Sequence, residues 1–104
     1  MTTKQRIAVF GGLFLIGGAV MAQDAKEVYL EKCSICHGAD GAGKTAKGRK
    51  AKVKDVRETA PKVSAAEMQK IVENGKGDAM DAYGKELGKD VIKAIVDYYR
   101  GLAK

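Results

Sequence analysis

Cys33, Cys36 and His37 lie within five positions of one another, in the stretch EKCSICHG, and they are the chain's only cysteines and only histidine. Thiol and imidazole donors gathered so closely point to a metal or a metal-bearing cofactor, and the counts discriminate among the chemistries. Structural zinc takes four ligands, usually Cys or His; this chain offers three, two of them adjacent. Iron–sulfur clusters generally take four cysteines, or two with two histidines, and neither set is present. A thioredoxin-like dithiol belongs beside a βαβ unit, and no strand pattern accompanies this one. Covalent haem attachment has the signature C-x-x-C-H, which needs two thiols and one imidazole. Residues three apart project from one face of a helical turn. Cys33 and Cys36 can therefore reach two vinyl groups on one side of a porphyrin as thioethers, with His37 beneath the iron. The competing reading is a chance motif around a buried cysteine pair. As the sole histidine, His37 also excludes a bis-histidine iron within one chain. The sixth position is left to Met, Lys, another group or nothing.

The chain has 104 residues, enough for one small domain. Its beginning differs in kind from the rest. Lys4 and Arg6 precede IAVFGGLFLIGGAVMA, Ile7 to Ala22, 16 residues without a charge. A membrane-spanning helix needs roughly 20 apolar residues, and this run is shorter and rich in glycine. Val20 and Ala22 suit the −3 and −1 positions of a signal peptidase site. The sequence thus predicts a secretory signal peptide over residues 1–22, with an uncleaved membrane anchor as the rival. Cleavage would leave residues 23–104 as a single periplasmic or otherwise exported domain, with no stable membrane insertion. A domain of 82 residues has a marginal core and usually needs a staple. A Cys33–Cys36 disulfide would close too small a loop to serve, whereas covalent haem fits both the need and an exported location.

Without Lys4 and Arg6, 17 of the 19 basic residues remain against 13 acidic ones, a net charge of +4. Such a charge can steer an acidic partner. Four Tyr, two Phe and no Trp give no stacking platform for single-stranded nucleic acid, and export argues against nucleic acid as well. Lys44, Lys47, Arg49, Lys50, Lys52 and Lys54 form a run of cations with no acid among them, either a solvated loop, a docking rim for an acidic redox partner, or in part a counter-charge to haem propionates.

The elements that would position the cluster read as helices joined by glycine-rich loops. Val28, Tyr29, Leu30 and Ile35 support a first helix over about Ala25 to Cys36. GADGAGKTAKGRKAKVKD comes next as a loop, with at most a short helical turn. Ser64 and Glu67 form a capping box, and Gly75 stands where a left-handed residue ends a helix, predicting one over about Ala65 to Glu73. A second loop, GKGDAMDAYGKELG, leads to a last helix with Val91, Ile92, Ile95, Val96, Tyr99 and Leu102 on one face and Asp90 in its first turn. No alternation is long enough for a strand. The class is all-α.

With VYLEKCSICHGADGAG at one end and SAAEMQKIVENGKGDAMDAYGKELGKDVIKAIVDYYRGL at the other, the chain resembles the class I monohaem c-type cytochromes, small bacterial electron carriers. The resemblance implies a cytochrome c fold of three to four short helices around one covalently bound haem c, with crossing first and last helices. Tyr29 would then pack against Ile95, Val96 or Tyr99. In that family a Met after a GKG loop is the distal ligand, which makes Met80 the match and His37 the proximal ligand. Met68, inside the capped helix, is the rival and reads as core. Tyr83 would lie near the haem edge. Two departures stand out. GKGDAMDAY has an extra residue before Met80 and Asp81 where Pro usually stiffens the loop, which favours a weaker iron–sulfur bond or a looser loop. Related sequences often carry Pro near Ala46, whose carbonyl helps hold the proximal histidine's other nitrogen; here another backbone carbonyl could accept that bond. The implied activity is single-electron transfer by a monomer between redox partners, not enzymatic catalysis, since no catalytic acid, base or nucleophile stands out. Two alternatives remain: a haem-based ligand binder or sensor with a labile sixth ligand, and a dedicated haem subunit of a larger oxidoreductase.

Overall fold

The computed structural model describes residues 22–104, so the expected signal segment lies outside the described residues apart from Ala22. The chain opens with one helical run in three parts: α1 (Ala22–Val28), a π-helical turn (Tyr29–Cys33) and α2 (Ser34–His37). The π turn was not expected. It inserts one residue into the helical repeat, which rotates the next segment by ~100°. Cys33, at the end of this turn, still packs against the Ala25 and Tyr29 cluster, and Tyr29 lines the same cavity as both cysteines. Gly38 ends the run at φ +84°.

The next loop holds two short helices where one turn at most was expected, α3 (Ala46–Lys50) and α4 (Val56–Thr59). Each is opened by a side chain that accepts a backbone N–H: Thr45 from Gly48, and Asp55 from Arg57. Capping of this kind satisfies donors that a short helix leaves unpaired. The Ser64–Glu67 capping box is present in both directions and starts α5 (Ala65–Asn74), which ends at Gly75 with φ +78°. The last helix, α6 (Lys89–Gly101), is the longest α-helix among the described residues. Among the described residues there is no strand, only isolated bridges within the turn Lys76–Met80.

α6 is the spine of the fold. Its apolar face buries Ile92, Ile95 and Val96. Ile95 packs with Ala25 and Tyr29 of the first helical run, joined by Val91, Tyr98 and Tyr99 at the edges. Ile92 and Val96 pack with Met68 of α5. Burying aliphatic or aromatic side chains of this size stabilises by about 1.5–3 kcal/mol each, so these two contacts carry much of the core. The expected crossing of first and last helices is present, and Tyr29 meets Ile95 and Tyr99 as expected. Tyr98 was not on the expected face, yet its ring centroid lies 5.3 Å from that of Tyr29. Conversely, Leu30 and Ile35, which helped identify the first helix, are 40% and 54% exposed.

Candidate cofactor site

The helices enclose a cavity of about 540 Å³, within the size range of cofactor pockets, ~300–1,000 Å³. Cys33, Cys36, His37 and Met80 all line it. The structure thus brings together the four residues singled out in the sequence, from the first helical run on one side and the loop after α5 on the other. Val53, Val63, Ile71, Val72, Ile95 and Val96 supply apolar wall.

The cysteine–histidine end is held by backbone contacts at close range. Tyr29 donates its hydroxyl to the Gly38 carbonyl at 2.6 Å, and Gly43 N–H donates to the His37 carbonyl at 2.7 Å. The Thr45 hydroxyl donates to the Ile35 carbonyl at 2.6 Å, with the Cys36 carbonyl at 3.2 Å. Gly48 lies so near that a Cβ there would stand 2.1 Å from the Cys36 carbonyl oxygen. α3 is thus pressed flat against the segment that carries the motif. Neither Thr45 nor Gly48 was singled out in the sequence. The only signal was a threonine three residues before a glycine in a stretch that otherwise reads as loop.

The electrostatics keep this end neutral. Burial lowers the His37 pKa below the ordinary imidazole value, so the ring is an uncharged base with a lone pair available to a metal. Burial pushes the Cys33 thiol up to about 11, with Lys32 opposing the shift. Tyr99 meets the imidazole edge-on at 5.0 Å between ring centroids, and burial raises its pKa too. Nδ1 of His37 is buried and meets no hydrogen-bond partner. The backbone carbonyl that could have stood in for the missing proline carbonyl does not accept from it.

The methionine end is a braced turn. Lys76 N–H donates to the Met80 carbonyl at 2.8 Å, and Ala79 N–H to the Lys76 carbonyl at 3.1 Å. Tyr83 and Gly84 then return onto α5 through the Val72 and Glu73 carbonyls, at 2.8 and 3.0 Å. A Cβ on Gly75 would come within 2.8 Å of the Met80 carbonyl oxygen, so glycine permits both the positive φ and the close return of the loop. Met68 also lines the cavity, but it is 7% exposed, packs on Ile92 and Val96, and has Nη1 of Arg100 3.6 Å from its sulfur. Tyr83 lines the cavity beside Cys33, and burial raises its pKa, with the neighbouring thiol as the next cause.

Among the described residues, no three His, Cys, Asp or Glu side chains converge to hold a bare metal ion. Two thiols, a neutral half-buried imidazole and a thioether instead surround a large, mostly apolar space. That donor set fits a broad, flat cofactor bonded at one edge and bound through its centre. An all-α fold around such a space, with C-x-x-C-H on its wall, defines a c-type cytochrome. Residues 20–98 match the family described as cytochrome C oxidase, cbb3-type, subunit III, and the chain belongs to that family of cytochrome domains. Among solved structures it is similar to one described as KustC0563 c-type cytochrome, with 27% sequence identity, a TM-score of 0.72, and coverage of 77% of this chain and 98% of that one. No curated protein matches. The protein is a monohaem c-type cytochrome that carries covalently bound haem c and serves haem-based electron transfer with redox protein partners. No helix among the described residues is long and apolar enough to cross a membrane.

Proposed function

We propose that the protein is an exported, periplasmic one-electron carrier, monomeric and not itself an enzyme, in which Cys33 and Cys36 hold the haem as thioethers and His37 and Met80 are its axial ligands. Residues 1–22 would be removed as a signal peptide. The observation that carries this reading is that His37 and Met80 line one cavity together with the two cysteines, His37 from the first helical run and Met80 from the loop after α5. Met80 is preferred to Met68 because the Met68 side chain is packed into the core with its sulfur against Arg100.

When bound, the haem supplies an iron that gains and loses one electron. The chain's residues keep that exchange from requiring rearrangement. His37 is half-buried, and burial favours its neutral form. Its peptide is fixed by Gly43, and its ring is backed by Tyr99. The Met80 turn is tied to α5 through the Tyr83 and Gly84 N–H groups. The apolar wall excludes water and disfavours an added positive charge, and Met/His ligation also raises the potential.

Met80→Ala tests the assignment. The variant should keep its covalent haem, lose the weak thioether-to-ferric-iron charge-transfer band, and bind carbon monoxide fast and fully when reduced, where the wild type resists. Its potential should fall by on the order of 0.1 V, within the roughly 0.8 V that axial ligands span. A wild type that binds carbon monoxide as readily as the variant would favour the ligand binder or sensor instead.

The second reading, a haem subunit docked on a larger oxidoreductase, is favoured by the family description, which names an oxidase subunit. A stable co-purifying enzyme would support it. For a diffusing carrier, the exposed cations Lys44, Lys47, Arg49, Lys50, Lys52 and Lys54 suit an acidic docking face. Electron transfer with such a partner should slow steeply as ionic strength rises from about 0.01 to about 0.15 M, where the screening length shortens from about 30 to about 8 Å. A stopped-flow rate indifferent to salt would remove the acidic docking face.

A further inference from the structure

Two methionines line the cavity, Met68 from α5 and Met80 from the loop after it. A haem held by His37 on one side takes one of them on the other. Both carry the same soft thioether. A methionine side chain, unbranched and with three rotatable bonds, also adapts readily to new surroundings. Donor chemistry alone therefore does not choose between the two, and the choice falls to whatever restrains each sulfur.

The Met68 sulfur is met by Arg100 of α6. Nη1 of Arg100 donates to the Val63 carbonyl at 2.6 Å and stands 3.6 Å from Sδ of Met68. These contacts reach 37 and 32 residues back along the chain, so they join α6 to the start of α5. Arg100 meets no carboxylate at ion-pair distance among the described residues, which leaves its charge to a carbonyl and a sulfur. Val63 and Met68 both line the cavity, and Arg100 does not. The guanidinium thus engages the sulfur from outside the cofactor space. A thioether is a weak acceptor, but a charged donor strengthens the contact, and the same side chain packs on Ile92 and Val96. Met80, in contrast, is held through its backbone carbonyl, by Lys76 N–H.

We propose that Arg100 is the positioning residue that selects the axial ligand: it ties the Met68 sulfur into the packing between α5 and α6 and so leaves Met80 as the thioether open to the iron. The proposal rests on the His37 and Met80 reading and adds what enforces it.

Holoproteins are compared by the thioether-to-ferric-iron charge-transfer band and by carbon monoxide binding when reduced. Met80→Ala alone should lack the band and bind carbon monoxide fully, because Met68 stays tied. Adding Arg100→Leu should free Met68, so that the band returns and carbon monoxide binding slows toward the wild-type rate. A further Met68→Leu should abolish the band again. Arg100→Lys keeps a cation with N–H donors and should leave the Met80→Ala protein open to carbon monoxide. Arg100→Leu with Met80 intact covers the case in which the double variant fails to fold. Its reduced form should show a second methionine methyl resonance shifted upfield by the porphyrin ring, absent once Met68 is also replaced by Leu. A folded Met80→Ala/Arg100→Leu protein as open as Met80→Ala, or a single shifted methyl in Arg100→Leu, would overturn the selection by Arg100 and leave Met80 as the ligand. A Met80→Ala protein that keeps the band would overturn the Met80 reading and the proposal with it.

Discussion

Gly48→Ala should cost about 3 kcal/mol or more of holoprotein stability, the top of the usual range for overpacking. The added methyl carbon would stand 2.1 Å from the Cys36 carbonyl oxygen and 2.6 Å from that of Gly43. Both obstacles are backbone, so no side-chain rotation relieves them. α3 would have to lift away, breaking the bonds of Thr45 to Ile35 and Cys36 that hold the haem-binding segment. A domain of this size has ~4–12 kcal/mol in total, so the variant should lose much of its folded population under mild denaturant and incorporate haem poorly. Gly101→Ala is the control, since a Cβ there meets nothing within 4 Å. Its denaturation midpoint should be unchanged or slightly higher. Equal midpoints for wild type and Gly48→Ala would show that α3 does not press on the motif.

Tyr29→Ala should cost about 3–5 kcal/mol, as large aromatic truncations in a core do. Tyr29 is 1% exposed and touches both Tyr98 and Tyr99 of α6, at 5.3 and 5.9 Å between ring centroids. Tyr99 in turn backs His37. Loss of the Tyr29 ring should therefore loosen the imidazole's support as well as the crossing of the first helical run with α6. Tyr29→Phe separates the two contributions. It keeps the ring and removes only the hydrogen bond to the Gly38 carbonyl, which still accepts from Gly41 N–H at 3.1 Å. Its cost should be about 0.5–1.5 kcal/mol, read from denaturant titration of both holoproteins. A phenylalanine variant as damaged as the alanine one would place the importance in the hydroxyl rather than in the ring.

These two residues illustrate how unevenly the sequence reveals the site. The cofactor chemistry was legible because it depends on residue types and spacing: two thiols and one imidazole leave few options. The capping box at Ser64 and the apolar face of α6 were legible because both are local patterns. Met80 came from resemblance to the family, and the structure places it among the residues that line the same cavity as His37. Gly48 was not legible, because its role is a long-range approach to Cys36 and a glycine in KTAKGRK looks like any loop glycine. The π turn was hidden too. Leu30 and Ile35 have the apolar character of a buried helix face, yet both are exposed, Ile35 as part of the cavity lining.

The buried Nδ1 of His37 bears on the departure noted near Ala46. With no proline carbonyl there, no other backbone acceptor takes its place. A hydrogen-bond acceptor at that nitrogen fixes the ring and raises ligand basicity. Here the ring's orientation instead rests on Tyr99, the apolar wall and the hydrogen bond from Gly43 to the His37 peptide.

The decisive measurement is the mass and visible spectrum of the polypeptide expressed with a haem-ligation system and then denatured. One haem should remain on the chain through denaturation, its pyridine adduct should be of the two-thioether type, and a Cys33→Ser/Cys36→Ser variant should release it. A wild-type chain that folds stably at the mass of bare polypeptide, with no Soret absorbance, would contradict covalent haem attachment and the electron-transfer function built on it.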